Sequence, residues 1–349
     1  MEIRVYTKDL RRAGQIENQT SLLWRRKYFE AGEFELHVPV TADNMKLMVR
    51  TNIITLAGYD ECGVIEDVSI DESPEENEIV ASGRFAVKYL DQRIVAGVNN
   101  LNGTVEASMQ QLFNAVTPFT TIEFGEVLSS ETRNVEGQFT NKNLLTCFEK
   151  LARYGNIGYK LIPDYRNHKW KLVVFEGIDR SEQQRINNRV IFSEKYDNLN
   201  EVKYQINDQS YFNVAIVEGK DANENPVVEI VGDTDLTDIE RRELFVDGSN
   251  VSPQDITAEE FRKALRQEGQ NTLNLNQLSE TFECNTNTTG NFNYREHYDL
   301  GDVVTVFKRS WGIKRHLRIT EIEEVYERDS MSITPTFGTP LPTSIDWED

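Results

Sequence analysis

Hydrophobic and polar residues alternate with period two over much of the first hundred positions. Glu33-Phe34-Glu35-Leu36-His37-Val38 puts Phe34, Leu36 and Val38 on one side of an extended chain, and Val64-Ile65-Glu66-Asp67-Val68-Ser69-Ile70 alternates again. Asn52 to Ala57 is β-branched. An acidic turn over Asp71, Glu72, Ser73, Pro74, Glu75 and Glu76 precedes the strand Glu78-Ile79-Val80-Ala81-Ser82-Gly83. Together these predict a hairpin, its tip kept unpaired by charge, at the end of a small β-barrel or sandwich.

From about residue 100 the period changes. Thr104 can N-cap a helix whose apolar face is Val105, Met109, Leu112, Phe113 and Val116, with Pro118 just past its end. A second helix carries Leu144, Phe148, Leu151 and Ala152, and Gly155 is placed to stop it. Gly158 to Ile162 and Lys169 to Phe175 then alternate across a polar turn. β character returns at Val190–Ser193 and Asn213–Glu218, followed by a stretch rich in Asp, Asn and Glu from Asp221 to Asp238. A helix from Thr257 to about Leu278 is marked by a Thr257/Glu260 capping box, with Gly269 to Asn276 as its weak point.

The two ends of the chain repeat one another. Phe34-Glu35-Leu36, Asn52-Ile53-Ile54-Thr55 and Val64 to Val68 align in order with Phe282-Glu283-Cys284, Asp302-Val303-Val304-Thr305 and Arg318 to Ile322. Each copy then continues as strand, acidic turn, strand, the second through Glu327, Arg328 and Asp329 to Met331-Ser332-Ile333. Two similar β domains in one chain would let a three-fold oligomer present a pseudo-six-fold ring.

Composition narrows the function. With 38 Lys+Arg against 58 Asp+Glu in 349 residues, the formal charge is −20, which disfavours wrapping nucleic acid through an array of phosphate contacts. No run approaches the ~18 apolar residues of a membrane span. Met1-Glu2-Ile3-Arg4-Val5-Tyr6 lacks the apolar core of a signal peptide, so a cytoplasmic product is expected. Cys62, Cys147 and Cys284 are odd in number and widely spaced, neither a disulfide framework nor a zinc set.

Catalytic patterns do not emerge, and no cofactor or metal is expected. His37, His168, His297 and His316 fall in no metal or nucleophile motif, and neither a P-loop nor G-x-G-x-x-G nor G-x-S-x-G occurs. Cys147 reads as a buried small hydrophobe. Asp233, Asp235 and Asp238 lack the glycine and closing Glu of an EF-hand. The basic cluster Lys308, Arg309, Lys314, Arg315 and Arg318, with Trp311 interleaved, could be a nucleic-acid face, but the acidic total favours a protein interface meeting acidic neighbours. An Asp/Glu pair serving a cell-wall hydrolase is the alternative function. A carbohydrate platform would need clustered aromatics, whereas Trp24, Trp170, Trp311 and Trp347 are dispersed.

Several segments together resemble the siphophage tail-hub proteins labelled Gp37-like, related to the baseplate hubs of contractile phages. They include Tyr6-Thr7-Lys8-Asp9-Leu10, Ser21-Leu22-Leu23-Trp24 through Gly32-Glu33-Phe34-Glu35-Leu36, and Phe175-Glu176-Gly177-Ile178-Asp179-Arg180. Val190-Ile191-Phe192-Ser193 with Asp197-Asn198-Leu199, and Arg242 to Asp247, continue the series. Asp299-Leu300-Gly301-Asp302 with Arg318, and Thr334-Pro335-Thr336-Phe337-Gly338, complete it.

The resemblance implies a mainly β, α+β chain with two similar tube-like β-barrel domains. One is residues 1–95; the other is split between 190–218 and 282–338. An α+β module occupies 96–189, a helix-containing insertion 219–281, and a tail 339–349. It also implies a non-enzymatic homotrimer in the virion tail. Its partners would be a distal tail protein, a tip, fibre or receptor-binding protein and the tape-measure protein, with DNA passing through unbound. An acidic lumen is then expected.

Overall fold

A computed structural model describes residues 2–338 apart from 73–76, 130–132, 197, 255, 277, 286–290 and 329. The tip of the first hairpin, Asp197, the turn at Asp329, Trp347 and the tail 339–349 therefore lie outside the described residues.

One large sheet organises the molecule. Its main path runs Asn200–Asn207, Ser279–Asn285, Met331–Gly338, Ile313–Glu327, Ser21–Lys27, Glu33–Pro39, Asn77–Arg84 and Asp67–Glu72, and every neighbouring pair is antiparallel. Val303–Lys308 pairs with the first part of Ile313–Glu327, and Ile191–Ser193 lies parallel to Val303–Lys308. Alternation sets the faces. In Ser21–Lys27 the residues Leu22, Trp24 and Arg26 are buried while Leu23, Arg25 and Lys27 are half-exposed, and in Glu33–Pro39 Phe34, Leu36 and Val38 point inward.

A second sheet, ordered Arg12–Ile16, Ile3–Tyr6, Ile53–Leu56, Cys62–Val64, covers the buried face of the N-terminal half. Between them lies a core of Ile3, Val5, Trp24, Phe34, Leu36 and Ile54 among others, with Trp24 against Phe85 at 4.4 Å. The C-terminal half has its own core around Phe192, Phe282, Val304, Ile322 and Phe337. Two barrels were expected from the sequence; among the described residues no sheet closes on itself. The C-terminal part of Ile313–Glu327 pairs on one side with Met331–Gly338 of its own half and on the other with Ser21–Lys27, so the two halves join edge to edge in one sheet.

A short helix α1 (Ala42–Leu47), capped by Thr41, lies in the first half. Helices α2 (Val105–Ala115) and α3 (Leu144–Gly155) pack with a ribbon of Ile94–Thr104 and Asn134–Asn143 and a sheet ordered Ile122–Leu128, Lys169–Phe175, Gly158–Asp164. Thr104 Oγ1 accepts from the Ala107 N–H at 3.2 Å, as its position predicts. Gly155 does not stop α3. The left-handed residue is Asn156 (φ 54°), and Gly155 instead lets Val105 approach, since a Cβ there would sit 2.9 Å from it. This module shares one core with Leu10, Ile53, Cys62, Val64 and Leu90 of the N-terminal half.

Val214–Lys220, placed by sequence in the second β domain, pairs instead with Pro226–Gly232 and Glu243–Asp247. That small sheet packs on α4 (Ala258–Leu275), whose Thr257/Glu260 capping box is present. Gly269, the expected weak point, lies within α4. Its missing side chain admits Val217 and Val231, each 2.6 Å from where a Cβ would be.

Candidate functional site: the joint between two like units

Both halves of the large sheet are built to the same plan, down to pairing register. Trp24 faces Phe34 and Phe34 faces Gly83; Tyr204 faces Phe282 and Phe282 faces Phe337. Ser82 faces Asp67, and Thr336 faces Glu321. Ile53 faces Val64, and Val303 faces Arg318. The paired hairpins end alike, at Glu72/Asn77 and at Tyr326/Met331. The short sequence repeat therefore marks two four-strand units of one order and one register. They differ at a flank, where Ile3–Tyr6 joins Ile53–Leu56 antiparallel but Ile191–Ser193 joins Val303–Lys308 parallel.

The units meet where Ile313–Glu327 pairs with Ser21–Lys27, from Glu321 opposite Lys27 to Glu327 opposite Ser21. On the outer face Arg25 bridges Glu33, Glu321 and Glu323. On the inner face the alternation that buries Leu22 and Trp24 also buries Arg26, 5% exposed, and that which buries Ile322 also buries Glu324, fully enclosed. Such charges survive burial only when every polar atom is partnered. Arg26 donates to Glu61 Oε1 (2.6 Å from Nη2), to Asp299 Oδ1 (2.5 Å) and to the Tyr294 hydroxyl (2.6 Å). Glu324 accepts from the hydroxyls of Tyr294 (2.9 Å), Tyr326 (2.6 Å) and Tyr59. Burial pushes the Glu324 carboxyl above the usual range, against the pull of Tyr326, Tyr59 and Arg26. Arg295 stacks on Tyr59 at 3.9 Å, tying in another loop.

The opposite face of the sheet is open and predominantly acidic. Glu33, Glu35, Glu78, Asp67, Asp71, Glu283, Glu321 and Glu323 lie on it, against Arg25, Lys27, Arg84 and Lys203. His37 sits between two of the acids, its ring nitrogens 2.8 Å from Glu78 and 2.9 Å from Glu35. Burial lowers the His37 pKa, but these two carboxylates more than reverse that and leave it raised.

Much of the basic cluster near residue 310 is neutralised within the chain. Lys308 pairs with Glu194 at 2.5 Å, Arg315 with Glu280 at 2.6 Å, and Lys314 with Glu182. Arg309 and the half-exposed Trp311 face solvent.

Burial and then the Glu30 charge push Glu149 up to about 7. The neighbouring cavity, lined by Glu30, Arg26, Lys27, Glu61 and Lys160, holds about 20 Å³, the room of one water molecule and far too little for a sugar ring. Among the described residues no cluster of three or more His, Cys, Asp or Glu could hold a metal ion. All three cysteines are buried and free, Cys147 pushed up to about 12 by burial.

Residues 2–339 match the family model described as Siphovirus ReqiPepy6 Gp37-like protein. The chain belongs to this family. No curated protein matches the sequence. Among solved structures, a tail protein from Neisseria meningitidis MC58 is similar at TM-score 0.61 and 14% identity, over 97% of this chain and 96% of that one. The 43 kDa tail protein of prophage MuSo2 from Shewanella oneidensis gives 0.60 and 14%, over 97% and 98%. Prophage tail protein gp18 from Listeria monocytogenes EGD-e gives 0.55 and 16%, over 96% and 94%. At these identities the likeness establishes a shared fold.

Of the segments that carry the Gp37-like resemblance, the one around Gly301 with Arg318 meets the first unit at Tyr28. Gly301 (φ +90°) lies against Tyr28, whose ring would be 2.3 Å from a Cβ there. The Arg318 guanidinium lies 5.2 Å from the centre of the Tyr28 ring and donates to the Gly301 carbonyl. Asp302 accepts from the Ile178 N–H (2.7 Å), Arg180 Nε (2.7 Å) and the Asp299 N–H (3.1 Å). Asp179 caps the Ser181 N–H at 2.8 Å, and Asn198 bonds the backbone of Ser193 and Ile191 while Leu199 is buried.

In the first unit, Tyr6 stacks on Tyr165 at 4.4 Å, and Gly32 leaves room for the Arg25 carbonyl and the Phe85 ring. Phe34 and Leu36 are core, and Glu35 contacts His37 on the open face. Gly338 (φ +88°) ends the last strand beside the Glu280 carbonyl. Sequence reasoning missed Arg26, Glu61, Glu324, Tyr59, Tyr294 and Tyr326. The signal was there in part: Arg26 and Glu324 are charges at positions where the alternation calls for an apolar side chain.

Proposed function

We propose that this chain is a structural hub of a phage tail. Its homotrimer would present six like β units as a ring continuing the tail tube, around the channel through which DNA leaves. The observation that carries this reading is the pair of four-strand units with one order and one register, joined edge to edge within a single chain. Three such chains supply six units, matching a six-fold tube on one side and three-fold partners on the other. Membership of the Gp37-like family and the tail-protein fold support it.

In this reading the hub joins the distal tail protein to tip, fibre or receptor-binding proteins, and the tape-measure protein ends in its channel. The open acidic face lines that channel. Charges within a Debye length of ~8 Å of passing DNA repel it, so the hub conducts DNA without binding it. The chain acts without catalysis. Multi-angle light scattering of the purified protein, alone and with its distal tail partner, tests the reading. A mass of three chains is expected, and monomer in both samples would overturn it.

A further inference from the structure

The large sheet has two outer edges, Asp67–Glu72 and Asn200–Asn207, and neither has a second strand beside it among the described residues. Free edges are normally guarded against pairing by lysine, proline or bulges. Asn200–Asn207 carries a bulge and Lys203, and Asp67–Glu72 carries Asp67 and Asp71, yet on the core side the two edges leave Ile70 48% and Ile206 52% exposed. Their places in the repeat are informative. Asp67–Glu72 holds in the first unit the place that Glu321–Tyr326 holds in the second, and Asn200–Asn207 holds in the second the place of Ser21–Lys27 in the first. Within the chain those counterparts pair with each other. The positions equivalent to Ile70 and Ile206 are Glu324 and Arg26, both buried by that joint.

Resting on the trimeric hub reading, we propose that Asp67–Glu72 of one copy pairs antiparallel with Asn200–Asn207 of the next, in the register of the internal joint. Asp67 then faces Asn207, Val68 faces Ile206, Ser69 faces Gln205, Ile70 faces Tyr204 and Asp71 faces Lys203. The apolar residues fall together on the core side, where Val68 already packs on one core and Tyr204 on the other. On the open side Asp71 meets a cation. A one-residue slip would set the apolar side of one copy's edge beside the acidic side of the next, so the register is specified. Because the two edges differ, the contact is head-to-tail and closes only as a ring. All six joints around that ring, three within chains and three between them, then share one register, with Ile70 and Ile206 where the internal joint has Glu324 and Arg26.

Cysteine pairs test the register, since directly opposed residues in an antiparallel pair lie within disulfide reach and diagonal ones do not. The three native cysteines are buried and stay silent. Ser69→Cys with Gln205→Cys, and separately Ile70→Cys with Tyr204→Cys, should oxidise to covalent species that stop at three copies. Ser69→Cys with Lys203→Cys should not. Charge reversal gives a second readout that needs no cysteine. Asp71→Lys and Lys203→Asp should each weaken assembly roughly two- to five-fold, with the double reversal restoring it. Trimers by light scattering without in-register cross-links would overturn this joint and leave the hub reading standing. Monomers alone would overturn both.

Discussion

Single residues hold the interfaces between segments here, and two kinds are open to direct test. The first is glycine with a neighbour in the space of its missing side chain. Gly301 combines φ +90° with the Tyr28 ring at 2.3 Å from a Cβ, so Gly301→Ala meets both backbone strain and a clash. A loss of about 2–4 kcal/mol is expected in chemical denaturation, against about 1 kcal/mol for Gly312→Ala, where φ is also positive (+68°) but nothing lies within 4 Å of a Cβ.

The second kind is the titratable pair. Glu66 is pushed up by burial but pulled harder the other way by Arg84 and Lys88, settling at about 2. Its stabilisation is present above its ordinary value of 4.5 and is lost as pH falls through 2. His37 has the opposite sign: raised by Glu35 and Glu78, it stabilises below its ordinary 6.5, and that contribution disappears as pH rises through its folded value. Melting curves of Glu66→Gln and wild type should therefore converge toward pH 2. Those of His37→Gln and wild type should converge as pH rises above the ordinary 6.5 and past the raised folded value.

At the scale of elements, the joint depends on two buried charges on neighbouring strands. Replacing Glu324 by Gln keeps the shape but removes an acceptor shared by the Tyr59 and Tyr326 hydroxyls, and Arg26→Met strands Glu61. Each should cost about 3–5 kcal/mol, and the double variant less than their sum, which a double-mutant cycle by urea denaturation would read. Strand alternation made most of the sheet legible in advance, and capping residues placed α2 and α4 to within a few positions. The repeat was legible because Phe34 and Phe282 stand at matched places in matched strands. What stayed hidden needed three dimensions. Nothing local says that Val214–Lys220 leaves the large sheet for a small one, or that Ile313–Glu327 runs on to join the other unit. The tyrosines around Glu324 come from segments as far apart as Tyr59 and Tyr326, and no spacing rule links them.

For the whole molecule, net charge and repeat bear on one question. A charge of −20 spread over a monomer means little, but the acids on the open face would all turn to the same channel in a ring of six units. Neutralising Glu35 and Glu78 together to Gln, which leaves Arg25 paired across the joint, should leave assembly intact while allowing short duplex DNA to be retained at low salt, read by fluorescence anisotropy. No change in retention would mean that this face does not line the channel. The central claim is that three copies form a ring of six like units. Negative-stain electron microscopy of the purified protein tests it most directly. Class averages should show a ring with six lobes, three-fold symmetry and a central hole, whereas single compact particles of monomer size would contradict it.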